Sequence, residues 1–205
     1  MNRTSTAEVL RVSGLDVTRG GVRVLRHVDL TARAGRVHVV LGASGSGKTT
    51  LLRACIGLVS APSRVRAEEL LLVAGGRQYD LTRGDAWSTV RGEHIGLVGQ
   101  DPALDLTPLR RVGSLVAEAT GLRRTPVRQV LERCGLPGEG LQRRMCFQLS
   151  GGMAQRLALG LAGSRDPELL LADEPSTALD AIARAALARH LREVADAGAA
   201  VVLVT

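Results

Sequence analysis

Apolar and polar residues alternate from Val9 to Leu30, through Leu10, Val12, Leu15, Val17, Val22, Val24 and Val28, with breaks at Gly14 and at Gly20-Gly21. A period near two predicts short antiparallel strands. Arg36 to Leu41 is a compact apolar run that predicts a buried strand, and Thr49 to Gly57 has helical spacing with Gly57 as its end signal. Glu69 to Val73 is another apolar run, ended by Gly75-Gly76. Arg83 to Arg91 predicts a short helix leading to a strand at Ile95 to Val98.

Beyond Gln100 the period lengthens. Val112, Leu115, Val116 and Ala119, then Val127, Val130 and Leu131, recur at helical intervals interrupted by Pro126, Gly135 and Pro137, so Leu104 to Leu149 reads as an inserted helical segment. Ser150 stands where a cap is needed for a helix that begins Gly151-Gly152-Met153 and continues through Leu157, Leu159, Leu161 and Ala162. Leu169 to Ala172 is unbroken apolar sequence with polar flanks, the pattern of a central parallel strand. Ala181 to Ala197 is rich in good helix formers, and Ala199 to Val204 is one more buried strand. The succession predicts a single α/β domain over 1–205: antiparallel strands first, a parallel central sheet, and an inserted α-helical subdomain over about 101–160.

The chemistry concentrates at Gly42-Ala43-Ser44-Gly45-Ser46-Gly47-Lys48-Thr49-Thr50, between the strand ending at Leu41 and the helix opening near Leu51. The spacing G-x-x-x-x-G-K-[ST] lets glycines bend the backbone until successive N–H groups face one anion. Lys48 is then placed to reach the β- and γ-phosphates of a nucleotide, and the Thr49 hydroxyl to hold Mg²⁺. Lys48 is also the only lysine in a chain with 27 Lys plus Arg. A sequence that uses arginine elsewhere has kept lysine here.

Two further motifs fit this loop. Asp173 and Glu174 follow the apolar run Leu169 to Ala172, at the strand end where open α/β sheets bind ligands. Asp173 suits a hard cation through its water shell, and Glu174 suits orienting or deprotonating an attacking water. Ser150-Gly151-Gly152 opens a helix and offers a second anion site, which makes sense if it closes over a nucleotide held by another subunit.

Bulk properties narrow the partners. Hydrophobic residues make up 45% and charged residues 23%, ordinary for a globular protein, and no apolar run approaches the roughly 18 residues needed to span a bilayer. Met1 to Glu8 is polar and unlike a signal peptide, so a cytoplasmic position is expected. Cys55, Cys134 and Cys146 lack C-x-x-C spacing, against a zinc site or disulfide framework. The net charge of +7 permits anionic partners, but the arginines are spread along the chain, and Tyr79, Trp87 and Phe147 are too few aromatics for base stacking. No nucleic acid is expected.

Together these residues resemble the ATP-binding cassette (ABC) ATPases: the phosphate loop (Walker A) at Gly42 to Thr50, a Q-loop glutamine at Gln100, a signature at Leu149 to Met153, a Walker B stretch at Leu169 to Glu174, and a D-loop at Ser176 to Asp180. The resemblance covers nearly the whole chain and implies a P-loop NTPase (RecA-like) core. It implies a head-to-tail dimer with a second ABC ATPase subunit, in which each ATP lies between one loop and the partner's signature, with Asp180 beside it. Gln100 would contact Mg²⁺ and the water, linking the nucleotide to transmembrane permease subunits docked on the helical subdomain. The protein would then sit peripherally on the cytoplasmic face of the membrane, served indirectly by a periplasmic or surface solute-binding protein.

Arg91-Gly92 with Ile95-Gly96, Gln100-Asp101-Pro102, Leu106-Thr107-Pro108, Val112-Gly113, and Met153 followed by Gln155-Arg156 are similar to the peptide- and nickel-type importer group. That implies ATP-driven import of peptides, nickel or a metal chelate. Two departures stand out. Where the family places an aromatic against adenine this chain has Arg19, which can stack on a base through its guanidinium. The family also carries a switch histidine after a strand like Val201 to Thr205, and none of His27, His38, His94 and His190 stands there; all four read as surface or strand residues. The expectation is a truncated cassette with reduced hydrolysis, or a cassette lacking that histidine. The alternatives are a soluble ABC-type ATPase acting on nucleic acid or ribosomes, and a nucleotide-binding module with little turnover.

Overall fold

The computed structural model describes residues 7–100, 106–121, 126–136, 139–176 and 181–205. Two long strands, β1 (Glu8–Arg19) and β2 (Val22–Arg33), form an antiparallel pair closed by Gly20 and Gly21, both at positive φ. The alternation thus belongs to two strands of 12 residues each rather than to several short ones. Val12 and Leu15, three apart, would face opposite sides of a regular strand. The register slips between them, with Gly14 at φ +58°, so both enter the core. Asp29 secures the irregularity by accepting from the Gly14 N–H at 2.8 Å, and that bond holds its carboxyl below the usual carboxylate range.

The chain next supplies β3 (Val37–Val40) and α1 (Lys48–Cys55), then the short β4 (Ser63–Arg66) and the hairpin of β5 (Glu69–Ala74) and β6 (Arg77–Asp80). β4 and β5 pair with β1 in succession, giving a sheet ordered β2-β1-β5-β6 with β4 beside the far half of β1. β4 and β6 carry too few apolar residues to stand out in the sequence. α2 (Trp87–Val90) is one turn, shorter than the apolar spacing of Arg83 to Arg91 suggests, and leads to β7 (Ile95–Val98).

α3 (Val112–Ala119), α4 (Val127–Arg133) and α5 (Gly151–Ala162) follow, then β8 (Leu169–Asp173), α6 (Ala181–Asp196) and β9 (Ala200–Val204). The second sheet is parallel, ordered β3-β9-β8-β7. Its centre is β8, where Leu169 to Asp173 are all buried, each leucine contributing on the order of 2 kcal/mol of burial. β3 differs from its expectation. It pairs with β9 alone among the described residues, and Val39 and Leu41 are 52% and 76% exposed, so it is a half-covered edge rather than a buried strand. Leu106, Val112, Val116, Val130, Leu131 and Leu157 form a second core around the helices, apart from the core between the sheets. This is an α/β P-loop NTPase fold with an antiparallel β subdomain and a helical insertion.

Parallel pairing sets the site's geometry. Val204 on β9 stands opposite Val40 on one side and Asp173 on the other. Beyond it the Glu174 N–H donates to Val204 O at 3.0 Å and the Thr205 N–H to Val40 O at 3.2 Å. The phosphate loop and the two carboxylates therefore open at the same end of the sheet, one strand apart.

Candidate functional site

The loop's shape follows from its glycines. Gly47 has φ +95°, and a Cβ there would lie 2.8 Å from Leu25 Cδ2; a Cβ at Gly42 would lie 2.5 Å from Ser46 Oγ. Only glycine fits either position without displacing neighbours. Gly45 is also left-handed, Gly42, Ala43, Ser44, Gly45 and Ser46 are exposed, and the Ser46 N–H donates to Ala43 O at 3.1 Å. The tight turn delivers Lys48 and Thr49 onto the first turn of α1, with Thr50 next, where backbone N–H groups are free for an anion.

Lys48 is buried, its Nζ 2.8 Å from Gly42 O, 3.1 Å from Ala43 O and 3.0 Å from Glu174 Oε1. Thr49 Oγ1 donates to Asp173 Oδ1 at 2.8 Å, and Asp173 is also buried. Each loop side chain thus meets one of the two carboxylates across 124 or more positions of sequence. Glu174 has φ +42°, unusual for a non-glycine residue and worth roughly 1–2 kcal/mol of strain. Its N–H, held by Val204 O, fixes the backbone there. Such strain at a strand end marks a residue whose direction matters.

The other expected site residues come from other elements. Ser150 caps α5, its Oγ accepting from the Met153 N–H at 3.3 Å, and Gly151 and Gly152 are exposed in the first turn with open space around them. Gln100 is exposed just past β7, and Arg19 is exposed at the β1 end of the hairpin. Thr177 to Asp180 lie outside the described residues. His27 on β2 and His38 on β3 are strand residues as expected, but two histidines depart from a surface-or-strand reading: His94 Nδ1 is 3.1 Å from Glu168 Oε2, whose other oxygen accepts from the Gly75 N–H, and His190 lies on α6 with a buried Nε2. Sequence reasoning also missed Gln155, whose Nε2 donates to Pro175 O at 3.1 Å and ties α5 to the residue after Glu174. Spacing alone gives no sign of a contact across 20 positions.

A glycine-bent anion cradle, a buried lysine and a hydroxyl–carboxylate pair at the open end of a parallel sheet define a P-loop nucleoside-triphosphate-binding protein. Within that class the family model for the ABC transporter matches residues 25–177, more than half of the chain, and the chain belongs to that family. It carries that family's ATP-binding domain. It is 32% identical to the oligopeptide transport ATP-binding protein OppD of Lactococcus lactis subsp. cremoris, over 89% of this chain and 56% of that protein. It is 40% identical to the Fe(3+) ions import ATP-binding protein FbpC 2 of Rhodococcus jostii, over 96% and 54%. The chain spans little more than half the length of these curated relatives. The solved structure of cbiO1 from Clostridium perfringens, described as part of the ABC transporter complex cbiONQ, shares the fold with a TM-score of 0.71 at 24% identity, over 96% of this chain and 77% of that one. No helix among the described residues is long and apolar enough to cross a membrane.

Proposed function

We propose that the chain binds ATP at Gly42 to Thr50 and hydrolyses it to power import of peptides, nickel or a metal chelate through a membrane permease. The observation that carries this is the meeting of Lys48 with Glu174 and of Thr49 with Asp173. Neither pairing is needed to stabilise a generic strand end, and both are what phosphoryl transfer needs in one place. The backbone N–H groups of the loop and Ser44 and Ser46 bind phosphate oxygens, and Lys48 exchanges its carbonyl and carboxylate partners for them. Released from Lys48, Glu174 is free to accept a proton from the attacking water. Thr49 and Asp173 are a hard oxygen pair that fits Mg²⁺, and with Gln100 they would hold it; the ion would supply charge neutralisation for the phosphates.

Ser150, Gly151 and Gly152 serve a nucleotide on a second ATPase subunit, with Asp180 at the same junction. Their exposure at the start of α5, with open space around both glycines, supports that reading. The permease docks on the helical insertion, where Leu109 and Phe147 are 79% and 63% exposed and are brought together by the bond from the Phe147 N–H to Pro108 O. Arg19 lies against the base and discriminates ATP from GTP weakly; a strong preference for ATP that Arg19→Ala leaves unchanged would count against that role. The cargo reading rests on relatives named for oligopeptide and for iron transport.

A phosphate-release assay tests the core of the proposal. The chain, with its permease where turnover requires it, should release phosphate from ATP, and Lys48→Ala should abolish both nucleotide binding and release. Turnover that survives Lys48→Ala would overturn it.

A further inference from the structure

A cavity of about 470 Å³ lies between α5 and α6 and is closed at one end by the end of α4. Its apolar floor includes Leu159 and Leu187, both buried. Its rim carries the exposed guanidinium side chains of Arg133, Arg156 and Arg189, none of which makes an ion pair among the described residues, against one carboxylate, Glu193. His190 also lines it, and its Nε2 is buried without a hydrogen-bond partner. Three cations without an ion pair among the described residues and an apolar floor line a space of the size small-molecule sites have. Gly152 of the signature turn also lines it, whereas Arg133, Arg156, Arg189, His190 and Glu193 are not among the nucleotide-site residues.

We infer that this cavity binds an amphiphilic organic anion: its apolar body lies on Leu159 and Leu187, and its carboxylate or phosphate among Arg133, Arg156 and Arg189. Charge-assisted bonds to guanidinium groups give orientation, and the floor gives affinity. The packing that makes the space is specific. A Cβ on Gly160 would collide with Cys134 Sγ, so glycine there lets the end of α4 seat against α5. One hydrogen bond links the cavity wall to the nucleotide site. Gln155 lines the cavity and donates to Pro175 O, next to Glu174. An occupant is thus placed to alter turnover more than ATP affinity, a consequence that rests on the ATPase reading, whereas binding itself does not.

The test is calorimetric titration of hexyl phosphate into the full chain saturated with Mg²⁺ and a non-hydrolysable ATP analogue, which removes the phosphate loop as a competitor. Inorganic phosphate and hexanol serve as half-probes. Hexyl phosphate should bind once and saturably, with each half-probe at least tenfold weaker. Arg156→Ala combined with Arg189→Ala should weaken it at least tenfold. Glu193→Gln, which removes the one opposing charge on an exposed side chain, should tighten it about threefold and guards against a loss caused only by misfolding. No saturable heat, hexanol binding as well as hexyl phosphate, or an affinity unchanged in the double arginine variant would each overturn the site. The reading needs no turnover, so its failure leaves the ATPase proposal standing.

Discussion

Replacing Glu174 by glutamine should make the nucleotide bind more tightly while it stops the chemistry. Lys48 Nζ and Glu174 Oε1 are 3.0 Å apart, with side-chain exposures of 7% and 29%, so solvent screens the pair only in part. At an effective dielectric near 20 their Coulomb attraction is about 5–6 kcal/mol, most of which is offset by desolvation. The net value of a hydrogen bond to a charged group is about 1.5–3 kcal/mol. A glutamine oxygen still accepts from Lys48 at about half that strength, so the substitution frees roughly 0.8–1.5 kcal/mol. An incoming nucleotide must displace Glu174 from Lys48, and removing that competition should raise affinity about 4–12-fold. Loss of the base should lower turnover on the order of 10²-fold or more. The assay is titration with a non-hydrolysable ATP analogue, so that blocked hydrolysis cannot mimic tighter binding. A folded Glu174→Gln protein that binds the analogue no better than the parent would show that the ion pair does not gate the loop.

Three other outcomes follow from the same geometry. Gly47→Ala places a Cβ 2.8 Å from Leu25 Cδ2 at a φ of +95°, so it should cost about 2 kcal/mol or more, lower Tm by on the order of 5 °C, and abolish nucleotide binding, all readable by thermal melts with and without ATP. Thr49→Val leaves buried Asp173 without its donor and should destabilise by about 1–3 kcal/mol in denaturant titrations, while Thr49→Ser should restore most of it. Burial pushes the Cys55 thiol up to about 12 and the Cys134 thiol to about 11, so native protein at pH 8 should resist alkylation at both. Because these thiols ionise more readily when unfolded, their contribution to stability is intact below the ordinary value of 9.0 and declines as pH rises past it; melts that hold steady from pH 8.5 to 10.5 would contradict the shifts.

The nucleotide site was legible in the sequence because its chemistry is local. Gly42 to Thr49 and Asp173-Glu174 are each contiguous, and the demand for glycine, lysine and hydroxyl at fixed spacing arises from one bound anion. β8 was equally plain, since a strand buried on both faces leaves an unbroken apolar run. What the sequence concealed depends on neighbours. The edge position of β3 is invisible because four apolar residues read alike whether one strand or two flank them. β4 and β6 are held by pairing rather than by apolar side chains, and the irregularity at Gly14 turned one long strand into what resembled several short ones. His190 has no chemical signature in its own helix; its unpaired nitrogen becomes notable only when α5 closes over it.

Val204 gives the motif-bearing segments their common ruler. Because it faces Val40 on one side and Asp173 on the other, a slip of β9 by one residue would move the carboxylates about 3.3 Å against the loop and turn alternate side chains over, with every motif residue unchanged. Sequences that keep both motifs but disturb this intervening strand would therefore advertise a nucleotide site they do not possess. Substitutions at a buried valine with no chemistry of its own should sort with those at Lys48 in their effect on nucleotide binding.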